Sequence, residues 1–338
     1  MDNKPRVRDL AARLTAHFVA AGAVRIEPAV LQPAARLLDL YGEDIRAHAY
    51  VTDDPLNGEQ LLRPDFTVPV VDMHLAGGSD PARYTYAGEV FRRPERGDDP
   101  AGESFQVGFE LFDRGDRAKA DVEVFSTIAA ALPAGCQVVT GDIGILIAAV
   151  QGLSCSDRRK SALLRHLWRP KRFKALLDGF GRKTMPPDAD RSLTLVGKRS
   201  WDEIETRIAA LRADAAEPPL DAGEVQLLDD ILDLNVPLTD AADRLADLAR
   251  DYQPLWSAIA MLKARTELLG EAAKAASFEG SYGRTAMEYY DGFVFGFTLS
   301  GQTVATGGRY DALTRILGNG KGIPAVGGII RPDLLVLA

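Results

Sequence analysis

Ser104-Phe-Gln-Val-Gly-Phe-Glu-Leu-Phe112 is the stretch on which the fold turns. Its strict alternation makes it a strand, with Phe105, Val107, Phe109 and Leu111 on one face and Gln106, Gly108 and Glu110 on the other. The first face is for packing. The second sets an amide and a carboxylate on either side of a glycine, which suits two structures: a solvated sheet face, or the open floor of a site for a small polar ligand.

Immediately upstream, Arg83 to Arg92 reads as a second strand, and Arg93 to Gly102 as a polar loop. Together they predict an antiparallel hairpin with a long charged tip and Arg92 at its mouth. Before the hairpin, Arg63-Pro-Asp-Phe-Thr67 opens a helix that runs to Leu75, with Asp65 or Thr67 as its cap. Such a start gathers free backbone donors beside a carboxylate and a hydroxyl, although capping alone explains these residues equally well. The N-terminal part reads as a helix over Arg8 to Ala21, an extended segment Val24 to Leu31 containing Pro28, and a short helix Ala34 to Leu40. Strands near His48 to Thr52 and Glu59 to Leu62 flank a turn at Asp53 to Gly58.

Downstream, the pattern predicts a helix Ala118 to Ala131, a strand Gln137 to Val139 and a helix Asp142 to Val150. From Ser156 to about Ala276 strand signals largely disappear. Helical patterns succeed one another at Asp157 to Leu167, Arg172 to Leu177, Trp201 to Leu211, Glu224 to Leu234, Ala241 to Tyr252 and Leu255 to Leu268. Breaks at Met185 to Asp188 and Glu217 to Asp221 separate them. Strands resume over Glu288 to Leu299, turn at Ser300-Gly301 and return over Gln302 to Thr306. A helix Ala312 to Leu317 and a last strand ending at Ile330 follow. The predicted class is α+β: an antiparallel sheet flanked by helices, formed by residues 1–145 and 270–338, with a helical insertion over 146–269.

Composition narrows the function classes. The 338 residues are 46% apolar and 26% charged, as in a soluble globular protein, and the net charge of −8 disfavours general attraction to nucleic acid or anionic lipid. The basic segments Arg158-Arg-Lys160 and Arg169-Pro-Lys-Arg172 read as solvated faces. Cys136 and Cys155 lack metal or CxxC spacing and point to a reducing compartment, expected to be the cytoplasm. Scattered histidines (His17, His48, His74, His166) argue against a metal centre, and no run reaches membrane-spanning length. Neither GxxxxGK[ST] nor a helix-opening GxGxxG occurs.

Six short signatures then carry a resemblance: Arg63-Pro-Asp-Phe-Thr67, Tyr86-Ala-Gly-Glu-Val-Phe-Arg92, Phe105-Gln-Val-Gly-Phe-Glu110, Glu288-Tyr-Tyr-Asp-Gly292, Gly307-Gly-Arg-Tyr-Asp311 and Pro324-Ala-Val-Gly327. In this order and spacing they resemble the catalytic core of histidyl-tRNA synthetases, which are class II synthetases. The resemblance implies a histidine pocket in which Asp65, Thr67 and Gln106 hold the ammonium. Glu110 with Tyr290 and Tyr310 would hold the imidazole, and Tyr289 belongs to the same wall. The chemistry suits the ligand, since carboxylates, an amide and phenols can pair every donor that histidine offers. Asp65 is one methylene shorter than the family's usual glutamate.

The departures are as informative. The family's adenylation arginine falls at Thr285, with Arg284 one place out of register, and its last ATP arginine falls at Leu334. The Arg93-Pro94 step replaces the glutamate expected after Arg92. Arg92 and Arg284 remain as candidate phosphate or anion contacts. Losing one preorganised donor to a developing phosphoryl charge costs about 10²–10³ in rate, so two losses would leave little adenylation. Only a few residues follow the last signature, so no anticodon-binding domain is expected.

Together these features are similar to the regulatory subunits of ATP phosphoribosyltransferase. That likeness implies a homodimer with no catalytic residue and no cofactor, partnered by a short catalytic subunit, with histidine as effector in the first step of histidine biosynthesis. Pro28 and the first helix resemble the family's dimer-forming element. Two alternatives stay open on the residues alone: an enzyme that adenylates an amino acid for a non-tRNA acceptor, and a stand-alone histidine sensor or RNA-binding relative.

Overall fold

The computed structural model describes residues 3–36, 49–93, 102–183, 200–285 and 289–337. In chain order the strands are β1 (Val24–Arg25), β2 (Leu31–Pro33), β3 (Val51–Asp54), β4 (Gly58–Leu62), β5 (Ala82–Phe91), β6 (Glu103–Phe112) and β7 (Gln137–Asp142). They continue with β8 (Asn235–Pro237), β9 (Ala276–Glu279), β10 (Phe293–Leu299), β11 (Gln302–Arg309) and β12 (Ala325–Ile330). Nine of them form one sheet in the order β1-β5-β6-β12-β11-β10-β7-β9-β8, and β2-β4-β3 form a small second sheet.

From β5 across to β7 every pairing is antiparallel, as the alternating strands predict, but β1 pairs β5 and β7 pairs β9 in parallel. The sheet is antiparallel through its middle, as expected, and mixed through the two parallel pairings toward its edges. A parallel pair needs a long crossover. Each of these has one: the small sheet and the helix Thr67–Leu75 lie between β1 and β5, and the inserted helices lie between β7 and β9.

The sheet's first face is covered by the helices Lys4–Ala20 and Arg117–Ala130. The N-terminal helix buries Val7, Ala11, Leu14 and Phe18, and the Phe18 ring lies 5.5 Å from that of Phe109. Asp116 caps the second helix by accepting from the backbone N–H groups of Ala118 and Lys119. That helix sets Phe125 against the alternating Phe293, Phe295 and Phe297 at ring distances of 6.3, 5.3 and 5.2 Å. Val107, Phe109 and Leu111 are fully buried here, each contributing roughly 1.5–3 kcal/mol of apolar burial. The Ser300-Gly301 hairpin has both residues at positive φ, 50° and 79°, the two-residue turn that matches strand twist.

The stretch expected as a helical insertion holds, with the helix that leads into it, the helices Ile143–Gly152, Asp157–Arg165, Pro170–Phe180, Trp201–Ala216, Ala222–Asp233, Leu238–Leu248 and Trp256–Leu269. It also contains β8, which pairs β9 and extends the main sheet. Three residues ending in Pro237 are too short to show a period of two. A buried ion network ties the last long helix to the sheet's flank: Arg265 reaches Asp121 and Asp142 at 2.9 Å each, and Arg309 reaches Asp121 at 2.7 Å. Two other expectations shift. The strand expected from Glu288 begins at Phe293, because Tyr289 and Tyr290 turn into a cavity, and the return strand runs on to Arg309. Residues 37–48, 94–101, 184–199 and 286–288 lie outside the described residues, and with them His48, Glu288, most of the Ala34 helix, the hairpin tip and the Met185 break.

Candidate functional site

The second face of β6 is not solvated. Gln106 and Glu110 are 3% and 1% exposed, so the alternation carries polar groups into the interior. Buried polar groups need partners. Two phenols hold Glu110, Tyr86 Oη donating to Oε1 at 2.8 Å and Tyr310 Oη to Oε2 at 2.6 Å, and the Thr67 hydroxyl acts on it in the same direction. Among the described residues no cation pairs with this carboxylate. Burial raises its pKa to about 7, against the lowering effect of the two phenols. Burial and the nearby Glu110 charge push both phenols well above their ordinary range, which keeps them as donors.

Glycines make the room. Gly327 on β12 lies directly opposite Glu110, and a Cβ there would coincide with the carboxylate. Gly108 pairs with Tyr86, and a Cβ there would enter its ring. A sheet with side chains at these positions could not fold Tyr86 and Glu110 flat over its own strands.

The rest of the site is held from the Arg63 segment. Buried Arg63 donates to the carbonyls of Glu89 and Pro28, and Arg92 Nε donates to the Pro64 carbonyl at 2.9 Å. So anchored, Asp65 accepts from the backbone N–H of Thr67 at 3.0 Å, and Thr67 Oγ1 meets Tyr289 Oη at 3.1 Å. The N-cap is Phe66, without a side-chain cap, so neither Asp65 nor Thr67 holds the expected cap position; Asp65, one residue earlier, still pairs with the first helical N–H groups, and both residues face the cavity. That cavity, about 100 Å³, is lined by Asp65, Thr67, Arg92, Gln106, Glu110, Tyr289, Tyr290 and Tyr310, among others. Among the described residues, neither the Gln106 amide nor the Tyr290 hydroxyl has a hydrogen-bond partner. The arrangement suits a small polar ligand with donors at two ends: one for Glu110, another for Gln106 and its neighbours.

Arg284 is not part of this wall. Its Nε donates to the Leu167 carbonyl at 2.8 Å and its guanidinium lies 4.8 Å from the Phe173 ring centre, so it packs on the inserted helices. Burial lowers its pKa to about 10. Arg284 lies in the turn that follows β9, where no strand alternation fixes which way a side chain faces. Thr285 is exposed, and Leu334 is half-buried against the core. Three residues that the sequence did not single out do line the site or hold it: Tyr86, Thr306 and Arg331. Tyr86 stood in a quoted signature, but only cross-strand register shows that it reaches Glu110. Among the described residues there is no cluster of potential metal ligands, and no helix is long and apolar enough to cross a membrane.

A family model described as histidyl-tRNA synthetase matches residues 2–335. Among curated proteins, the chain is 32% identical to an ATP phosphoribosyltransferase regulatory subunit of Allorhizobium ampelinum, across 98% of this chain and 97% of that protein. It is also 32% identical to one of Rhizobium johnstonii, across 94% of each. Among solved structures, an ATP phosphoribosyltransferase regulatory subunit/histidyl-tRNA synthetase of Bacillus halodurans superposes with a TM-score of 0.75 at 20% identity, covering 100% of this chain and 80% of that one. A histidyl-tRNA synthetase of Nostoc gives 0.66 at 16% identity, covering 99% of this chain and 72% of that one. These last two likenesses concern the fold.

Proposed function

The chain belongs to the histidyl-tRNA synthetase family and to the ATP phosphoribosyltransferase regulatory subunits, and from that premise we propose that it serves as the non-catalytic partner of a short ATP phosphoribosyltransferase subunit. In this reading it is required for that subunit's full activity in the cytoplasm, assembles as a homodimer, and passes on feedback from histidine. The observation that carries the reading is the near end-to-end match to regulatory subunits, in a chain with Thr285 and Leu334 where the synthetase resemblance expects arginines.

The pocket supplies the effector chemistry. Glu110, buried and without a cation, is matched by an imidazole N–H or imidazolium, while Asp65, Thr67 and Gln106 face the ammonium. Recognition without activation makes histidine an effector, and it can shift the complex only by its differential affinity for two states. The test is a mixing experiment. Adding the purified chain to the short catalytic subunit should raise phosphoribosyl transfer, and histidine should lower it. No rise on mixing would refute the proposal, and pyrophosphate exchange by the chain alone would favour an adenylating enzyme instead.

A further inference from the structure

We propose that Arg331 seats the α-carboxylate of the amino acid in this pocket, a role that rests on the histidine reading above. β12 alternates, so Gly327, Ile329 and Arg331 share the pocket face, and all three line the cavity. The ladder carries on past the strand's end, since the Arg331 backbone N–H donates to the Val304 carbonyl at 2.8 Å. One step beyond the pair Ile330 and Val107, Arg331 stands level with Gln106. Its guanidinium is held from β11: Nη1 donates to the Thr303 carbonyl at 3.2 Å and Nη2 to Thr306 Oγ1 at 3.5 Å.

The pocket therefore has two ends. Glu110 lies opposite Gly327, and Arg331 follows four residues along the same strand, about 13 Å further on. The ring nitrogen and carboxylate oxygen of one histidine are on the order of 6 Å apart. A hydrogen bond of about 2.8 Å at each end extends the reach to roughly 12 Å. The 13 Å is a backbone separation, and the groups themselves stand closer, since the Arg331 guanidinium reaches back to Thr306, which pairs with Ile329. A histidine held between them has its ammonium beside Gln106, Asp65 and Thr67.

Electrostatics at this end favour an anion. Arg92 also lines the cavity and lies close enough for its charge to act on Arg331, which burial and Arg92 together push below the ordinary arginine range. Asp333 and Tyr290 act in the opposite direction, yet among the described residues no carboxylate comes within ion-pair distance of Arg331. A carboxylate placed between the two guanidiniums relieves their repulsion and adds an anion to the neutral partners that already hold Arg331. A nucleotide phosphate has the same chemistry, so the test must separate the two.

Calorimetry on the full chain does so with L-histidine, histamine, which lacks the carboxylate, and AMP as the phosphate probe. Wild type should bind histidine far more tightly than histamine. Arg331→Gln should weaken histidine roughly ten- to a hundredfold, leave histamine unchanged, and be partly rescued by Arg331→Lys. Equal affinity of wild type for histidine and histamine, or unaltered histidine binding by Arg331→Gln, overturns the inference while the histidine site stands. Loss of AMP binding alone in Arg331→Gln reassigns the residue to a phosphate and overturns it too. Failure of wild type to bind histidine at all removes the histidine reading and this inference with it. If Arg331→Gln does not fold, the lysine variant and the histidine-to-histamine ratio still decide.

Discussion

Replacing Glu110 with glutamine should make the unliganded protein more stable at neutral and alkaline pH while destroying the proposed histidine site. The carboxyl titrates near 4.5 when unfolded and at about 7 in the folded chain. A carboxyl with a raised folded value binds its proton more tightly in the native state. Its contribution is therefore intact below pH 4.5 and is lost as the pH rises through 7. At about 1.36 kcal/mol per pH unit, the shift corresponds to roughly 3 kcal/mol of destabilisation once the group is ionised. Glutamine keeps the shape, accepts from one phenol and donates to the other, and carries no charge to desolvate. Urea unfolding of both proteins at pH 5 and pH 8 measures the difference. Wild type should lose about 2–3 kcal/mol more than the variant between the two conditions. Asp291, which burial and Asp311 also raise to about 7, adds the same slope to both proteins and cancels in the comparison. Identical pH profiles, or a variant weaker than wild type at pH 8, would refute the assignment of Glu110 as a carboxylate held at a cost until its ligand arrives.

Two further substitutions probe how the site is supported. Gly327→Ala puts a methyl group where the Glu110 carboxylate lies, so it should cost about 1–3 kcal/mol in urea unfolding and abolish histidine binding by calorimetry. Wild-type affinity in this variant would mean that the carboxylate is not held over that glycine. Arg265→Ala leaves Asp142 without its cation and Asp121 with Arg309 alone, which should lower stability by about 3–5 kcal/mol. A loss under 1 kcal/mol would show that the ion network does not tie the inserted helices to the sheet.

Much of this was legible in the chain because it is local. The alternation through Ser104 to Phe112 makes a strand whatever surrounds it, and Phe105, Val107, Phe109 and Leu111 had to share a packed face. The turn at Ser300-Gly301 and the helix after Arg63 to Thr67 likewise follow from short-range chemistry. Asp65, Thr67, Gln106, Glu110, Tyr289, Tyr290 and Tyr310 were named through the ordered signatures, and the cavity that gathers them was not visible from any one of them.

What the tertiary structure decided is which residues stand opposite one another. Whether the face of Gln106 and Glu110 met water or a cavity depended on β12 crossing at Gly327 and on Tyr86 and Tyr310 closing over the carboxylate. Arg284 looked like an anion contact in the linear order and packs on Phe173, while Arg331, in no recognised position, reaches the pocket through the register of β12 with β6. The short β8 and the parallel pairings at the sheet's edges were hidden for the same reason. Periodicity is a property of one segment, and a chain of amino acids carries it openly. Register joins segments far apart in sequence, and it is settled only when their side chains compete for the same space.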